Sequence, residues 1–421
     1  MTPAPSLGEA VRVWSRIGVL SFGGPAAQIA LMHREVVEEK GWLSESQFLS
    51  ALSFCMLLPG PEAMQLATYS GWRLHGTLGG LAAGLLFVLP GAVVILALSG
   101  VYLAWGTVPM VQAAFLGIKA AVLVIVLEAL LRVARKGLKE RAHWVAAALS
   151  FVALFVFALP FPLLILAAGL WGYASTRGGA AEVAGPAGVP LGQTARTVAI
   201  WGAIWVAPLI LVEVTGGPAI LTEIGVFFST LATVTFGGAY AVLAYMAQDA
   251  VAAKGWLSAA EMVDGLGLAE TTPGPLILVT EFVGILAAAR EGGGIDPVMG
   301  LAGAAMTLWV TFAPCFLWIF AGAPYVEWLT AQRRLKGALD AITAAVVGVI
   351  LNLSVWFALH VLFREVTRVG WDHLGVWLPD FGTVEPVAVA LTGVAAILLL
   401  KLRAGIPLTL AVCAGLGMLG G

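Results

Sequence analysis

Three short motifs recur along this chain at one fixed spacing, and two of them break stretches apolar enough to lie in a membrane. Phe22-Gly23-Gly24 returns as Phe236-Gly237-Gly238, Lys40-Gly41-Trp42-Leu43-Ser44 as Lys254-Gly255-Trp256-Leu257-Ser258, and Pro59-Gly60-Pro61 as Pro273-Gly274-Pro275; the offset is 214 each time (236 − 22, 254 − 40, 273 − 59). Further along, Val88-Leu89-Pro90 is answered by Phe312-Ala313-Pro314, Gly117 to Val122 by Gly337 onward at an offset of 220, and Phe161-Pro162-Leu163 by Ile406-Pro407-Leu408. The duplication divides the chain into a repeat at 1–177, a linker with a connecting helix at 178–215, and a second repeat at 216–421. The run 178–194 is rich in Gly, Pro and Ala without a period, as a linker is.

Composition says where such repeats live. Hydrophobic residues make up 60% and charged residues 11% of 421, against about 25% charged in a soluble domain, and the mean hydropathy is +0.97. Twenty-two basic residues nearly cancel twenty-four acidic ones, so no basic field exists to grip a nucleic acid. A helix needs roughly 20 apolar residues to cross the hydrocarbon core. Uninterrupted candidates are 77–104, 109–131, 143–158, 161–176, 196–214, 297–322, 338–362, 384–401 and 405–420. Broken ones are 7–38, 44–75, 219–252 and 258–289, interrupted at the FGG and PGP motifs. The expected fold is an all-α polytopic membrane protein of two homologous halves, with 10 to 13 crossings set in the lipid bilayer. The N-terminus lacks the pattern of a cleaved signal peptide, so insertion is expected to use the spans themselves.

Non-helical backbone at membrane depth is tolerated only inside protein or beside a watery cavity. Four such breaks point to a pathway. Charge favours an inverted relation between the halves. The span 109–131 is followed by Arg132, Arg135, Lys136, Lys139 and Arg141, whereas its counterpart is preceded by Arg333, Arg334 and Lys336. If both clusters face the cytoplasm, the two helices run oppositely; Arg364 and Arg368 at the other end weaken that argument. Inverted repeats with broken helices are the pattern of secondary transporters.

The runs FGGPAAQIALMHREVVEEKGWLS, CMLLPGPEAMQLATYSGWRLHG and FVLPGAVV resemble the chromate ion transporter (CHR) family. So do TFGGAYAVLAYMAQDAVAAKGWLS with GLAETTPGPLILVTEFVG in the second half, and GIKAAVLVIVLEALLR with AITAAVVGVILNLSVW. The resemblance spans both halves and matches the long, two-domain form. It implies a bacterial inner-membrane carrier that expels chromate, a tetrahedral dianion resembling sulfate. Sulfate or another oxyanion is the alternative substrate, an anion channel the alternative mechanism, and a homodimer is left open.

An oxyanion at a midplane site must exchange water for dipoles or cations. A half-helix N-terminus offers unpaired N–H groups and about half a positive charge. The expected anion site therefore comprises Phe22, Gly23, Gly24, Pro25, Pro59, Gly60, Pro61, Gly237, Gly238, Pro273, Gly274 and Pro275. The prolines suit a first helical turn and the glycines a close backbone approach. Thr271 and Thr272 either add hydroxyl donors or cap a helix; Gln28 and Gln65 either donate amide N–H groups or bridge helices. Lys119, about ten residues into its span, either pairs with Glu128 or another carboxylate, or draws the dianion. Glu62, Glu270 and Glu281 are the coupling candidates. Glu62 either caps its helix or competes with the anion for the same positive end, which would tie protonation to anion binding. The charged run His33 to Lys40 reads as a solvated face. HExxH, GxSxG and P-loop signatures are absent, so neither an enzyme, a metal nor a cofactor is expected.

Overall fold

The computed structural model describes residues 5–176, 190–236, 239–371 and 374–420; Gly237, Gly238 and most of the expected linker lie outside them. The first repeat forms α1 (Leu7–Leu20), α2 (Gly24–His33), α3 (Glu45–Cys55), α4 (Glu62–Trp105), α5 (Pro109–Gly137), α6 (Arg141–Phe155) and α7 (Phe161–Ser175). After α8 (Leu191–Val214) the second forms α9 (Ala219–Val234), α10 (Ala239–Met246), α11 (Ala259–Thr271), α12 (Val279–Ala289), α13 (Pro297–Gly322), α14 (Val326–Ala331), α15 (Arg333–Leu362), α16 (Pro386–Ala396) and α17 (Ile406–Gly420). Among the described residues, five helices are long and apolar enough to cross a membrane: α4, α5, α8, the run Pro297–Ala331 and α15. This is an all-α polytopic membrane protein. Its one departure among the described residues is a two-stranded antiparallel hairpin, β1 (Val366–Trp371) and β2 (Leu374–Pro379), with Val369 opposite Val376. It follows α15 in a segment without apolar length.

The recurring motifs are local folding instructions. Ser44 caps α3: its Oγ accepts from the Gln47 N–H, and Gln47 Oε1 accepts from the Ser44 N–H. The second copy repeats the box, with Ser258 Oγ accepting from the Glu261 N–H and Glu261 Oε2 from the Ser258 N–H. Gly41 and Gly255 both take positive φ, +60° and +64°, to make the turn before that cap. Upstream of each turn lies a π-helical segment, Arg34–Glu39 and Ala247–Ala253. It is closed by Lys40 N–H donating to the Glu35 carbonyl and Lys254 N–H to the Asp249 carbonyl. The solvated reading of His33 to Lys40 holds for Arg34, Glu38 and Glu39, which are exposed, and fails at Glu35, which shares the inward face of Gln28 and Met32 at helical spacing. Glu35 is 1% exposed and lies 3.5 Å from Arg16.

Aligned on GIKAAV and AITAAV, Lys119 falls opposite Thr343 (343 − 119 = 224). Pro90 and Pro314 share that offset, so 224 replaces the expected 220. In α4, His75 and Gly76 leave helical geometry, which separates a helix 62–74 from a helix 77–105.

The chain packs as two compact units, and each unit takes segments from both repeats. The first holds Met1–Ser99, Thr176–Ala239 and Thr272–Lys336; the second holds Gly100–Ser175, Tyr240–Thr271 and Gly337–Gly421. The first unit's helices meet through glycine. An added Cβ on Gly71 would fall 2.2 Å from the Gly79 carbonyl, and one on Gly303 2.4 Å from the Gly284 carbonyl. In the second unit α5 crosses α17 at Gly117, where a Cβ would lie 1.9 Å from the Cys413 carbonyl. Close approach of this kind is how helices associate where lipid is as apolar as leucine.

Candidate functional site

The breaks meet in the first unit, and they meet reciprocally. Gly274 N–H donates to the Ser21 carbonyl at 2.9 Å, and Gly60 N–H donates to the Thr235 carbonyl at 2.9 Å. Ser21 and Thr235 are counterparts at 214, as are Gly60 and Gly274. Each PGP loop is thus bonded to the residue that precedes the FGG break of the other repeat. Two glutamines complete the clasp. Gln28 Nε2 donates to the carbonyls of Gly274 (2.7 Å) and Ser21 (3.2 Å), and Gln65 Nε2 donates to that of Pro59 (2.7 Å). Both loops also seat on the residue after an intrahelical proline. Gly274 would bring a Cβ within 3.6 Å of Gly91 Cα, and Gly60 would bring one within 3.1 Å of Cys315 Sγ.

These bonds redefine the donors expected from sequence. The N–H groups of Gly60 and Gly274, and the amides of Gln28 and Gln65, hold the loops together. What remains open is the start of α2. Gly23 is its N-cap at φ +88° with no side-chain cap, Gly24 follows at φ +76°, and Pro25 occupies the first turn. A Cβ on Gly24 would meet nothing within 4 Å. First-turn N–H groups have no intrahelical acceptor, and here they stand at the positive end of a ten-residue helix, with open space beside Gly24. Phe22 is half-exposed beside them. Pro61 precedes the helix 62–74, and Glu62 stands in that helix's first turn.

The remaining expected residues fall as follows. Thr272, Pro273 and Pro275 are buried in the second PGP loop. Thr271 caps rather than presents: its hydroxyl donates to the Leu268 carbonyl at 2.8 Å. Glu281, in α12 of the same unit as the loops, is 1% exposed, and its Oε2 has no hydrogen-bond partner. Lys119, Glu270 and Thr271 belong to the second unit. There Tyr240 donates to Glu270 Oε1 at 2.8 Å. Lys119 Nζ lies 3.1 Å from Asp264 Oδ1, while Glu128 takes Arg132 instead. Asp264 was not singled out in the sequence. The signal that finds it is the lysine itself, since a buried ammonium requires a counter-ion on a neighbouring span.

A family model described as "Chromate transporter" matches residues 8–173 and 222–418. The chain belongs to the chromate transporter family. The two separate matches make the halves homologous, and chromate transporter proteins are transporters rather than enzymes. A chromate transport protein of Pseudomonas aeruginosa is 36% identical over 343 residues, 80% of this chain and 77% of its own. A probable chromate transport protein of Synechococcus elongatus is 28% identical over 404 residues, 94% and 96% of the two chains. An uncharacterized transporter of Bacillus subtilis, YwrA, is 31% identical over 158 residues, which cover 37% of this chain but 88% of its own. Relatives of this family therefore exist at the size of one repeat. No solved structure matches the chain.

The clasp makes a direct prediction for this chromate transporter chain. Gln28→Ala removes a donor from two buried carbonyls. The expected loss is about 1–3 kcal/mol of stability, read as a lower melting midpoint in detergent; an unchanged midpoint would show that the amide does not support the loops.

Proposed function

We propose that this protein expels chromate across the bacterial inner membrane as a secondary transporter energised by the proton-motive force, with the anion bound at the open start of α2. The substrate comes from the family and from relatives whose names state chromate transport. The site rests on one observation: α2 begins uncapped, on two left-handed glycines, with open space beside Gly24, at a break clamped by both repeats. A tetrahedral dianion fits N–H groups at a helix start without any fixed cation. Pro59, Gly60, Pro61, Gln65, Thr272, Pro273, Gly274 and Pro275 hold that start in place, and Gly237 and Gly238 stand at the equivalent positions of the second repeat's sequence. Glu62 and Glu281 are coupling candidates in this unit and Glu270 in the other.

The halves run in opposite directions across the membrane. One observation supports this: the basic clusters at opposite ends of α5 and α15. Efflux of a dianion from a negative interior gains about 4.6 kcal/mol per 100 mV, twice the value for one charge. The electrical gradient by itself therefore favours export.

The test is chromate flux in liposomes under imposed membrane potential and pH gradient, with and without sulfate. Saturable flux that follows the gradients and resists sulfate is expected. Absence of flux overturns the function, and flux erased by equal sulfate reassigns the protein to general oxyanion transport. Gly24→Ala should cost about 1 kcal/mol of stability, as for an L-residue at positive φ. It should also weaken chromate binding at least tenfold by filling the space before the amides. Unchanged affinity would remove the site from α2.

A further inference from the structure

In the second unit, Asp264 of α11 and Lys119 of α5 form an ion pair with 6% and 17% of their side chains exposed. Tyr102, near the end of the helix 77–105, donates to Asp264 Oδ2 at 2.9 Å. A buried ion pair is a poor stabiliser, because desolvation offsets its Coulomb attraction and apolar replacements are often neutral or better. The duplication shows that the fold has a neutral alternative. The counterparts of Lys119, Asp264 and Tyr102 are Thr343, Ser50 and Val326 (343 − 119 = 224, 264 − 50 = 214, 326 − 102 = 224). All three polar groups are missing together from the other copy. They are an addition to the fold, not a requirement of it.

The pair is also unequal. Asp264 is nearly sealed, and Tyr102 pins one of its oxygens. Its other oxygen, Oδ1, sits at ion-pair distance from Lys119 without hydrogen-bond alignment. Lys119 keeps some access and carries three N–H donors. The ammonium is held by charge alone and can turn toward another oxyanion. If it did so with Asp264 still ionised, a buried carboxylate would stand without a counter-ion.

We propose that Lys119 is an oxyanion-binding cation of the second unit, and that Asp264 is its resting counter-ion, which takes up one proton as the substrate dianion arrives. The inference rests on the oxyanion-transport reading above. A proton from solvent bonds to the Asp264 carboxylate, the ammonium stays charged and passes to the anion, and no other bond forms or breaks. The neutral acid still accepts from Tyr102, so its side chain keeps its place. The other titratable and charged groups on elements packed against α11 are Glu128 and Arg132 of α5, which pair with each other, Arg135 and Lys136 in the last turn of α5, Asp249 and Lys254 around the π segment, and Cys413 of α17. Glu261 and Glu270 share Asp264's own helix; Glu261 closes the capping box and Glu270 accepts from Tyr240 of α10.

Calorimetric titration of the purified full chain with chromate, in buffers of different ionisation enthalpy, counts the protons taken up. Wild type should absorb about one proton per anion and bind about tenfold tighter for each unit of falling pH while Asp264 is ionised. Asp264→Asn should still bind, with no proton uptake and no pH slope, and Asp264→Glu should restore both. Should Asp264→Asn fail to fold, Lys119→Met/Asp264→Asn, a neutral pair, should bind at least tenfold more weakly and without a slope. Wild-type proton uptake in either Asn variant overturns the proposal. A wild-type protein that binds neither chromate nor sulfate overturns the transport reading instead.

Discussion

Lys119→Met is expected to lose about 3–5 kcal/mol of stability, and Lys119→Met/Asp264→Asn to recover most of it. The asymmetry follows from what each change leaves behind. The single variant strands a carboxylate that is 6% exposed, within reach of one hydroxyl and no cation. The double variant leaves an amide of the same shape, which Tyr102 still serves as donor, beside a flexible apolar side chain. The counterpart of this position in the other repeat is neutral already. Melting in detergent, followed by tryptophan fluorescence, gives the comparison. Equal midpoints for the single and double variants would mean that water, rather than Lys119, satisfies Asp264. The result also separates two roles of the lysine: a stability cycle measures its pairing, while the proton count in the titration measures its exchange of partners.

Much of this fold is legible before any coordinates, because the duplication supplies two readings of each segment. The 214-residue offset marks the two PGP loops, the FGG break of the first repeat and the two Ser caps. The spans read as uninterrupted correspond to the helix 77–105 of α4 and to α5, α6, α7, α8, α13, α15, α16 and α17, with shifts of a few residues at their ends. What stayed hidden depends on contacts between distant segments. Gln28 and Gln65 read equally as ligand donors or as bridges between helices, and residue type cannot say whether a donor finds the protein first. Gln28 reaches a carbonyl 246 positions away. Glu35 sits in a run of charges that reads as a solvated loop face, whereas the helix places it three residues after Met32 and seven after Gln28, on the buried side. Asp264 lies outside the PGP and FGG motifs, and its meaning comes from the lysine facing it.

Gly91→Val is expected to cost about 3 kcal/mol, at the upper end of overpacking, and to abolish transport even where the protein remains folded. Gly91 follows the proline of VLP on the helix 77–105, where the second PGP loop lies directly against the helix. A Cβ there would fall 2.1 Å from the Pro273 carbonyl oxygen and 2.5 Å from Leu278 Cδ1. The first obstacle is backbone, and it cannot swing aside as a side chain can. The loop must move, and with it go the Gly274 N–H bond to Ser21 and the Gln28 bond to Gly274. Damage at Gly91 is thereby transmitted to the start of α2. Gly100→Ala is the matching control on the same helix: nothing lies within 4 Å of its Cβ, so relief of glycine's backbone entropy should leave it neutral or slightly stabilised. The counterpart of Gly91 is Cys315 (315 − 91 = 224), whose thiol fills the corresponding space beside Gly60. The two copies of the clasp therefore have unequal room, and only the copy at Gly91 is sealed against any side chain. If Gly91→Val transported chromate at the wild-type rate, the contact between helix and loop would be incidental and the clasp would not position the anion site.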